Sequence, residues 1–272
     1  MTNTMTIKNA SQPTPYRDIN ALLSEWTEGV RHMLGDNVVG LYLSGSLSYG
    51  GFVRERSDID LQAVVRQQLT ETELRLVERL HTDLDQRHPA WKGRLECSYV
   101  PLALMQEIDP PATPRPWWGF DRLYAAAPAG NEWIINHYFL YRYGITLIGP
   151  AFNTLIPPPD IREVRKASAR DLFKEWAPKI NDPDWLSNSH YQSYLVLHLC
   201  RILHTTVGHE PSSKRVAAHW AKARYPQWQP LIVEAEQWAF GMEMKRSAEV
   251  IAFLQFSIGQ VKKAGLDPAF FQ

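Results

Sequence analysis

The chain has 272 residues, 44% of them hydrophobic and 21% charged, a globular balance that excludes a disordered chain and allows one large domain or two smaller ones. Lysine plus arginine and aspartate plus glutamate both total 29, so no basic excess points to a long nucleic acid. No apolar run reaches membrane-spanning length and the N-terminus has no secretory apolar core, so the expectation is a soluble cytoplasmic protein with Cys97 and Cys200 as free thiols.

Residues 1–14 read as a loose tail. From Tyr16, the apolar positions Ile19, Leu22, Leu23, Trp26, Val30 and Met33 recur at helical spacing until Gly35-Asp36-Asn37 breaks the pattern. Val38–Leu43 reads as a buried strand, Ser44–Arg56 as a glycine- and serine-rich loop, and Asp58–Val65 as a second strand. Thr70-x-x-Glu73 has the form of a capping box ahead of a helix carrying Leu74, Val77, Leu80 and Leu84. Arg94–Leu102 is a third strand, with Leu95, Cys97 and Tyr99 on one face and Glu96, Ser98 and Val100 on the other. Residues 109–118 read as too proline-rich for a regular element. A helix over Glu132–Tyr143 and a strand over Gly144–Gly149 follow, and the prolines of Ile156–Pro159 mark a domain boundary.

Beyond that boundary the period is helical. Leu195, Leu199, Ile202 and Thr206 form one face, Ile232, Ala235, Trp238 and Ala239 another, and Val250, Leu254, Ile258 and Val261 a third. The expected class is therefore α/β in the N-terminal half and an α-helical bundle in the C-terminal half.

The chemistry lies in Leu43-Ser44-Gly45-Ser46, followed by Ser57-Asp58-Ile59-Asp60-Leu61. Residues i and i+2 of a strand face one side, so Asp58 and Asp60 present two carboxylates together. Such hard oxygen donors suit Mg²⁺, which binds one or two carboxylates plus substrate phosphates, and a Gly-Ser turn lets backbone approach phosphate closely. A solvated surface pair is the usual fate of a lone Asp-x-Asp; strand, Gly-Ser, loop and Asp-x-Asp in succession are far more specific.

This pattern resembles the signature of the DNA polymerase β-like nucleotidyltransferase superfamily. Over nearly the whole chain the sequence is similar to the aminoglycoside adenylyltransferases that modify streptomycin and spectinomycin, through GSLSYGG, SDIDL, ITLIGP, CRILHTTVG, SSKRVAAHWAKARYP and QPLIVEAEQ. The resemblance implies a nucleotidyltransferase domain with a small mixed sheet over residues 1–157, and a helical domain over 158–272 that serves nucleotide and substrate. It implies ATP as co-substrate and two Mg²⁺ ions on Asp58, Asp60 and Glu96. Gly45, Ser46 and Ser57 would serve the nucleotide, Glu96 would be the catalytic base, and Arg201 and Lys214 would reach the phosphates. Read without the resemblance, Glu96 is also compatible with a surface edge position, Arg201 with a structural ion pair and Lys214 with an ordinary surface lysine.

The implied acceptor is a hydroxyl of an aminoglycoside or aminocyclitol, met by Asp182, Asp184 and Trp185. His190 and Tyr191, however, stand nearest the positions where the family has carboxylates. Residues 158–272 also hold 15 Lys/Arg against 12 Asp/Glu, an unpromising field for a polycation. A nucleotidyltransferase acting on another small molecule, a protein or RNA, and a non-catalytic nucleotide-binding regulator, are the other readings.

Overall fold

The computed structural model describes residues 12–267. Most of the expected tail, 1–14, lies outside them, and its described end is not loose. Thr14 is buried, and its amide and hydroxyl both donate to Asn20 Oδ1, at 3.0 and 2.7 Å.

The chain forms two compact units. The first is built from the chain up to Phe52, from Ser57–Ala129 and from Phe139–Pro158; the second takes Val53–Arg56, Gly130–Tyr138 and the chain from Pro159 onward. The second unit thus draws two short segments from the half assigned to the first on sequence.

In chain order the first unit contains α1 (Arg17–Leu34), β1 (Val38–Leu43), α2 (Gly45–Ser48), β2 (Ile59–Val65), α3 (Glu71–Arg87), β3 (Leu95–Pro101), α4 (Leu102–Met105), β4 (Arg115–Gly119) and β5 (Arg122–Ala127). The division between the units falls within α5 (Glu132–Tyr143), and β6 (Ile145–Ile148) completes the first unit's sheet. The strand order is β5-β4-β3-β2-β1-β6. Only β2 and β3 run parallel, because α3 carries the chain back between them; every other pairing is antiparallel.

Alternation then sorts the side chains. Leu41, Leu43, Ile59, Leu61, Ala63, Val65, Leu95, Cys97, Tyr99 and Trp118 pack in one core with Ile19, Leu22, Trp26 and Val30 of α1 and Val77, Leu80 and Leu84 of α3. Each such side chain removed from water contributes about 1.5–3 kcal/mol. The intervening residues, Asp60, Gln62, Glu96, Ser98 and Trp117 among them, therefore face the other side of the sheet.

The capping box of α3 forms in both directions. Glu73 N–H donates to Thr70 Oγ1 at 3.3 Å and Thr70 N–H to Glu73 Oε2 at 2.8 Å. Two expectations need correction. The loop after β1 opens with the single turn α2, and the proline-rich stretch yields a strand, β4. Pro116 cannot donate to a ladder, and the β4–β5 register slips between Arg115 and Trp117, so the proline sits where pairing is irregular. The β4–β5 turn, Phe120-Asp121, has φ of 53° and 59° at its two residues, a left-handed tight turn without the usual Asn-Gly signal.

The second unit comprises α6 (Ile161–Asp171), α7 (Ser189–Thr206), α8 (Lys214–Arg224), α9 (Gln229–Gln237) and α10 (Ser247–Lys263). Its core joins Leu195, Leu199 and Ile202 of α7 to Ala217, Ala218 and Ala221 of α8, Ile232 and Ala235 of α9, and Val250, Leu254 and Val261 of α10. Trp238 joins the same core from just beyond α9. Cys97 and Cys200 are buried free thiols. Among the described residues, no helix is long and apolar enough to cross a membrane.

The inner face of α3 buries two titratable groups. His81 bonds to the Tyr99 hydroxyl at 2.8 Å, and burial pushes its pKa down to about 3, so it is neutral. Burial and the neighbouring Asp121 push the Asp85 carboxyl up to about 6, against the opposing pull of Lys92 and the Gly93 N–H. The folded state thus favours protonated Asp85. Stability is lost as pH rises from the ordinary aspartate value toward 6, and the full penalty applies above it. Asp85→Asn is expected to raise the Tm by a few degrees (about 2–4) at pH 8 and to leave it nearly unchanged at pH 4, as read by thermal melts at the two pH values.

Candidate active site

The parallel register sets Asp60 of β2 directly beside Glu96 of β3. Both are half-buried and both face away from the α1/α3 core. Asp58 lies one residue ahead of β2 and, by alternation, on the same side as Asp60. The strand start is pinned from two directions: Ile59 N–H donates to Arg94 O at 2.8 Å, and the Arg94 guanidinium donates to the Ser57 carbonyl. That bond engages the backbone of Ser57, a residue expected to serve the nucleotide.

The Gly-Ser turn meets this strand. Ser44 donates to the Asp60 carbonyl from its amide at 2.8 Å and from its hydroxyl at 3.1 Å. Gly45 follows with φ +59°, and a Cβ there would fall 1.7 Å from Asp60 Oδ2. The glycine is therefore required twice, for the left-handed backbone and for the space that the Asp60 carboxylate occupies. Ser46 is half-buried in α2, and its carbonyl accepts from Gly51 N–H at 2.9 Å.

Next to the Asp60–Glu96 pair, the same face carries a second row in register: Tyr42, Gln62, Ser98, Trp117 and Tyr124. Trp117 packs on Tyr124 at 5.2 Å and on Phe120 at 5.6 Å, and Arg122 stacks over Tyr124 at 4.2 Å. Trp118, its neighbour in sequence, turns into the core. Sequence inspection singled out both tryptophans, and only the register separates them.

These donors fit a magnesium ion. Two carboxylates held side by side repel, and a divalent cation relieves that repulsion. Among the described residues, no group of three or more His, Cys, Asp or Glu side chains stands ready to hold a metal. Mg²⁺ does not need one, because it is bound by one or two carboxylates and completes its shell with phosphate oxygens and water.

In the helical unit, Lys214 is the first residue of α8, and the Ser213 hydroxyl before it caps the helix by accepting from Val216 N–H at 3.2 Å. Its Nζ lies 4.3 Å over the Tyr194 ring of α7. Arg201 is half-buried on α7, one turn after His198, and both Arg201 and Lys214 act electrostatically on that histidine. The two expected phosphate ligands are thus drawn to one locality by α7 and α8.

Comparison with known proteins supplies the remaining observation. Residues 155–260 match the family model described as the aminoglycoside adenylyltransferase C-terminal domain. By that domain, the chain belongs to the aminoglycoside adenylyltransferase family. It is accordingly a nucleotidyltransferase. The fold is similar to that of the spectinomycin adenyltransferase AAD(9) from Enterococcus faecialis, solved with ATP and spectinomycin. The TM-score is 0.63 at 18% identity, over 89% of this chain and 98% of that one. No curated protein matches the sequence at a significant level.

Against this family background, the residues expected to meet the acceptor part company. Asp182 and Asp184 are exposed, Asp184 on a 3₁₀ turn, Pro183–Ser187. Trp185 turns inward against Trp176 at 5.8 Å and Tyr191 at 5.8 Å, and the Lys179 ammonium already lies 5.1 Å over its ring. His190 is half-buried and stacks on Phe240 at 5.4 Å; burial, and Lys214 after it, hold its imidazole below the usual range. Sequence reading left three features of this adenylyltransferase unremarked: Arg94, the Trp117 row, and a bond from His198 Nε2 to Asp171 Oδ2 at 2.7 Å.

The Gly45 contact is open to test against a control. Gly50 also has positive φ, +77°, but nothing lies within 4 Å of its missing Cβ. Gly50→Ala is expected to cost about 1 kcal/mol of left-handed strain. Gly45→Ala, which must also displace Asp60, is expected to cost about 3 kcal/mol or more in denaturant melts.

Proposed function

We propose that the protein transfers AMP from ATP to a hydroxyl of an aminoglycoside or aminocyclitol antibiotic and releases pyrophosphate, with Mg²⁺ held through Asp58, Asp60 and Glu96. The observation that carries this reading is the register of Asp60 beside Glu96, with Gly45 closed onto Asp60, in a chain that also bears the family's C-terminal domain. In this reading residues 1–157 supply the transfer chemistry and 158–272 complete the nucleotide and acceptor sites.

The residues divide the work. Asp58 and Asp60 bind the ions, and Gly45, Ser46 and Ser57 form the turn and strand approach against which the triphosphate is oriented. Glu96 accepts the proton of the acceptor hydroxyl as its oxygen bonds to the α-phosphorus and the bond to the β-phosphate oxygen breaks. Arg201 and Lys214 neutralise charge on the departing pyrophosphate. Bound magnesium supplies charge neutralisation at the phosphoryl oxygens. Free, buried thiols at Cys97 and Cys200 support a reducing, cytoplasmic setting.

A second reading concerns the acceptor. Lys179 lies over the Trp185 ring, and His190 and Tyr191 carry no negative charge, so this side of the helical unit favours an acceptor less cationic than streptomycin. Asp182, Asp184 and Trp185 remain the proposed acceptor contacts.

Pyrophosphate release with ATP and Mg²⁺ tests both readings across streptomycin, spectinomycin and no added acceptor. Release that depends on an antibiotic is expected, and omission of Mg²⁺ should abolish it. ATP binding without acceptor-stimulated release from either compound would overturn the antibiotic assignment. Glu96→Gln is expected to keep ATP affinity within about threefold and to lower transfer by at least about 10²-fold; full turnover by this variant would remove Glu96 from the role of base.

A further inference from the structure

Asp171, Trp176, Tyr194 and His198 form a cluster that the chemistry above leaves unused. Asp171 ends α6, and the next five residues, Leu172–Trp176, wind as a π-turn, a form found often at functional positions. That wider spacing brings the Trp176 indole N–H, five residues on, to Asp171 Oδ2 at 3.0 Å. The same oxygen meets His198 Nε2 at 2.7 Å. The His198 ring lies nearly parallel to Tyr194, 5.6 Å apart at 13°, and tilts against Trp176 at 5.3 Å. Its other nitrogen, Nδ1, is buried and has no hydrogen-bond partner among the described residues.

A carboxylate only accepts, so the ring proton belongs on Nε2 and Nδ1 is a bare lone pair. Leaving a buried acceptor unmet is costly, and the surroundings explain why it is not simply protonated. Burial holds the imidazole below its usual range; Asp171 on α6 pulls the other way, and Arg201 on α7 and Lys214 on α8 add to the depression. Tyr194 on α7 is the remaining titratable neighbour, and Lys214 sits over its ring. The imidazole therefore stands where a third positive charge is unwelcome as long as the two cations are not offset.

We propose that His198 is a latent third cation of the polyphosphate site: when a nucleoside triphosphate binds beside Arg201 and Lys214, Nδ1 takes one proton from solvent, and the imidazolium, oriented by Asp171, adds its charge to theirs. This rests on the assignment of Arg201 and Lys214 to the triphosphate. A polyanion reverses the local field, and the open lone pair receives the proton without disturbing the bond to Asp171. Asp171 acts here as a positioning residue that fixes the tautomer and the ring plane.

Calorimetric titration of the whole protein with preformed MgATP, without acceptor, at pH 7 in PIPES and in Tris counts the protons exchanged. Wild type is expected to take up a substantial fraction of one proton more per ATP than His198→Asn does. The variant should bind ATP about three- to tenfold more weakly at pH 6.5 and nearly as well as wild type at pH 8.5, a pH split that a purely structural histidine would not produce. Arg201→Ala should lose affinity at both values. Should His198→Asn fail to fold, the ¹⁵N resonance of Nδ1 in wild type decides: a shift from the bare to the protonated range on MgATP addition is expected. An unshifted resonance, or equal proton counts for wild type and a folded variant that both bind ATP, overturns the inference and leaves the ATP reading intact. Absence of MgATP binding by wild type overturns the ATP reading itself.

Discussion

Two carboxylates on adjacent strands, locked by a parallel register, are the constraint around which this protein is organised. In a parallel pair the hydrogen-bond ladder fixes which residues are neighbours, so Asp60 and Glu96 cannot drift apart without breaking the β2–β3 ladder. Their repulsion is an energetic debt that a cation can discharge. The surrounding chain accepts that debt through specific devices: a glycine that makes room for one carboxylate, Ser44 and the Ile59–Arg94 bond that hold β2 in line, and α3, whose packing forces the two strands to run the same way.

The helical unit handles charge differently. Arg201 and Lys214 are brought near each other by the packing of α7 on α8 and share a neighbourhood with aromatic rings and a histidine. The aromatic surroundings lower the local dielectric, which strengthens the attraction of these cations for an anion and raises the cost of leaving them unmet. A π-turn after Asp171 gives this neighbourhood its one fixed negative partner.

Much of this was legible in the sequence because it depends on short periods. The alternation of β1 to β3 and the 3.6-residue spacing of α1, α3, α7 and α10 are local signals, and the capping box at Thr70 announces its helix within four residues. Asp58, Asp60 and the Gly-Ser turn were found because strand geometry explains them, and the family resemblance gave Glu96 its place. What escaped depends on pairings distant in the chain. The strand at Arg115–Gly119 forms in spite of Pro116, since the ladder slips at that residue, and the turn at Phe120-Asp121 has none of the usual residues. Which of Trp117 and Trp118 faces Glu96 is decided by the partner strand. The bond between Asp171 and His198 joins residues 27 apart across a π-turn that no periodicity forecasts. Asp182, Asp184 and Trp185 are contiguous in sequence terms, yet the first and second are exposed while Trp185 packs inward.

The β2–α3–β3 crossover also governs when the site can come into being. Ser44 and Asp60 meet across a simple hairpin, a closure that is quick because the intervening chain is short. Glu96 joins them only after α3 has folded and docked, since nothing else brings a parallel strand into position. A nascent chain, or one caught part-way through refolding, therefore possesses the glycine turn and two acidic side chains but no proton acceptor beside them. Catalytic competence is in this way reserved for molecules whose longest-range strand pairing is already complete, and incompletely folded copies are silent rather than promiscuous.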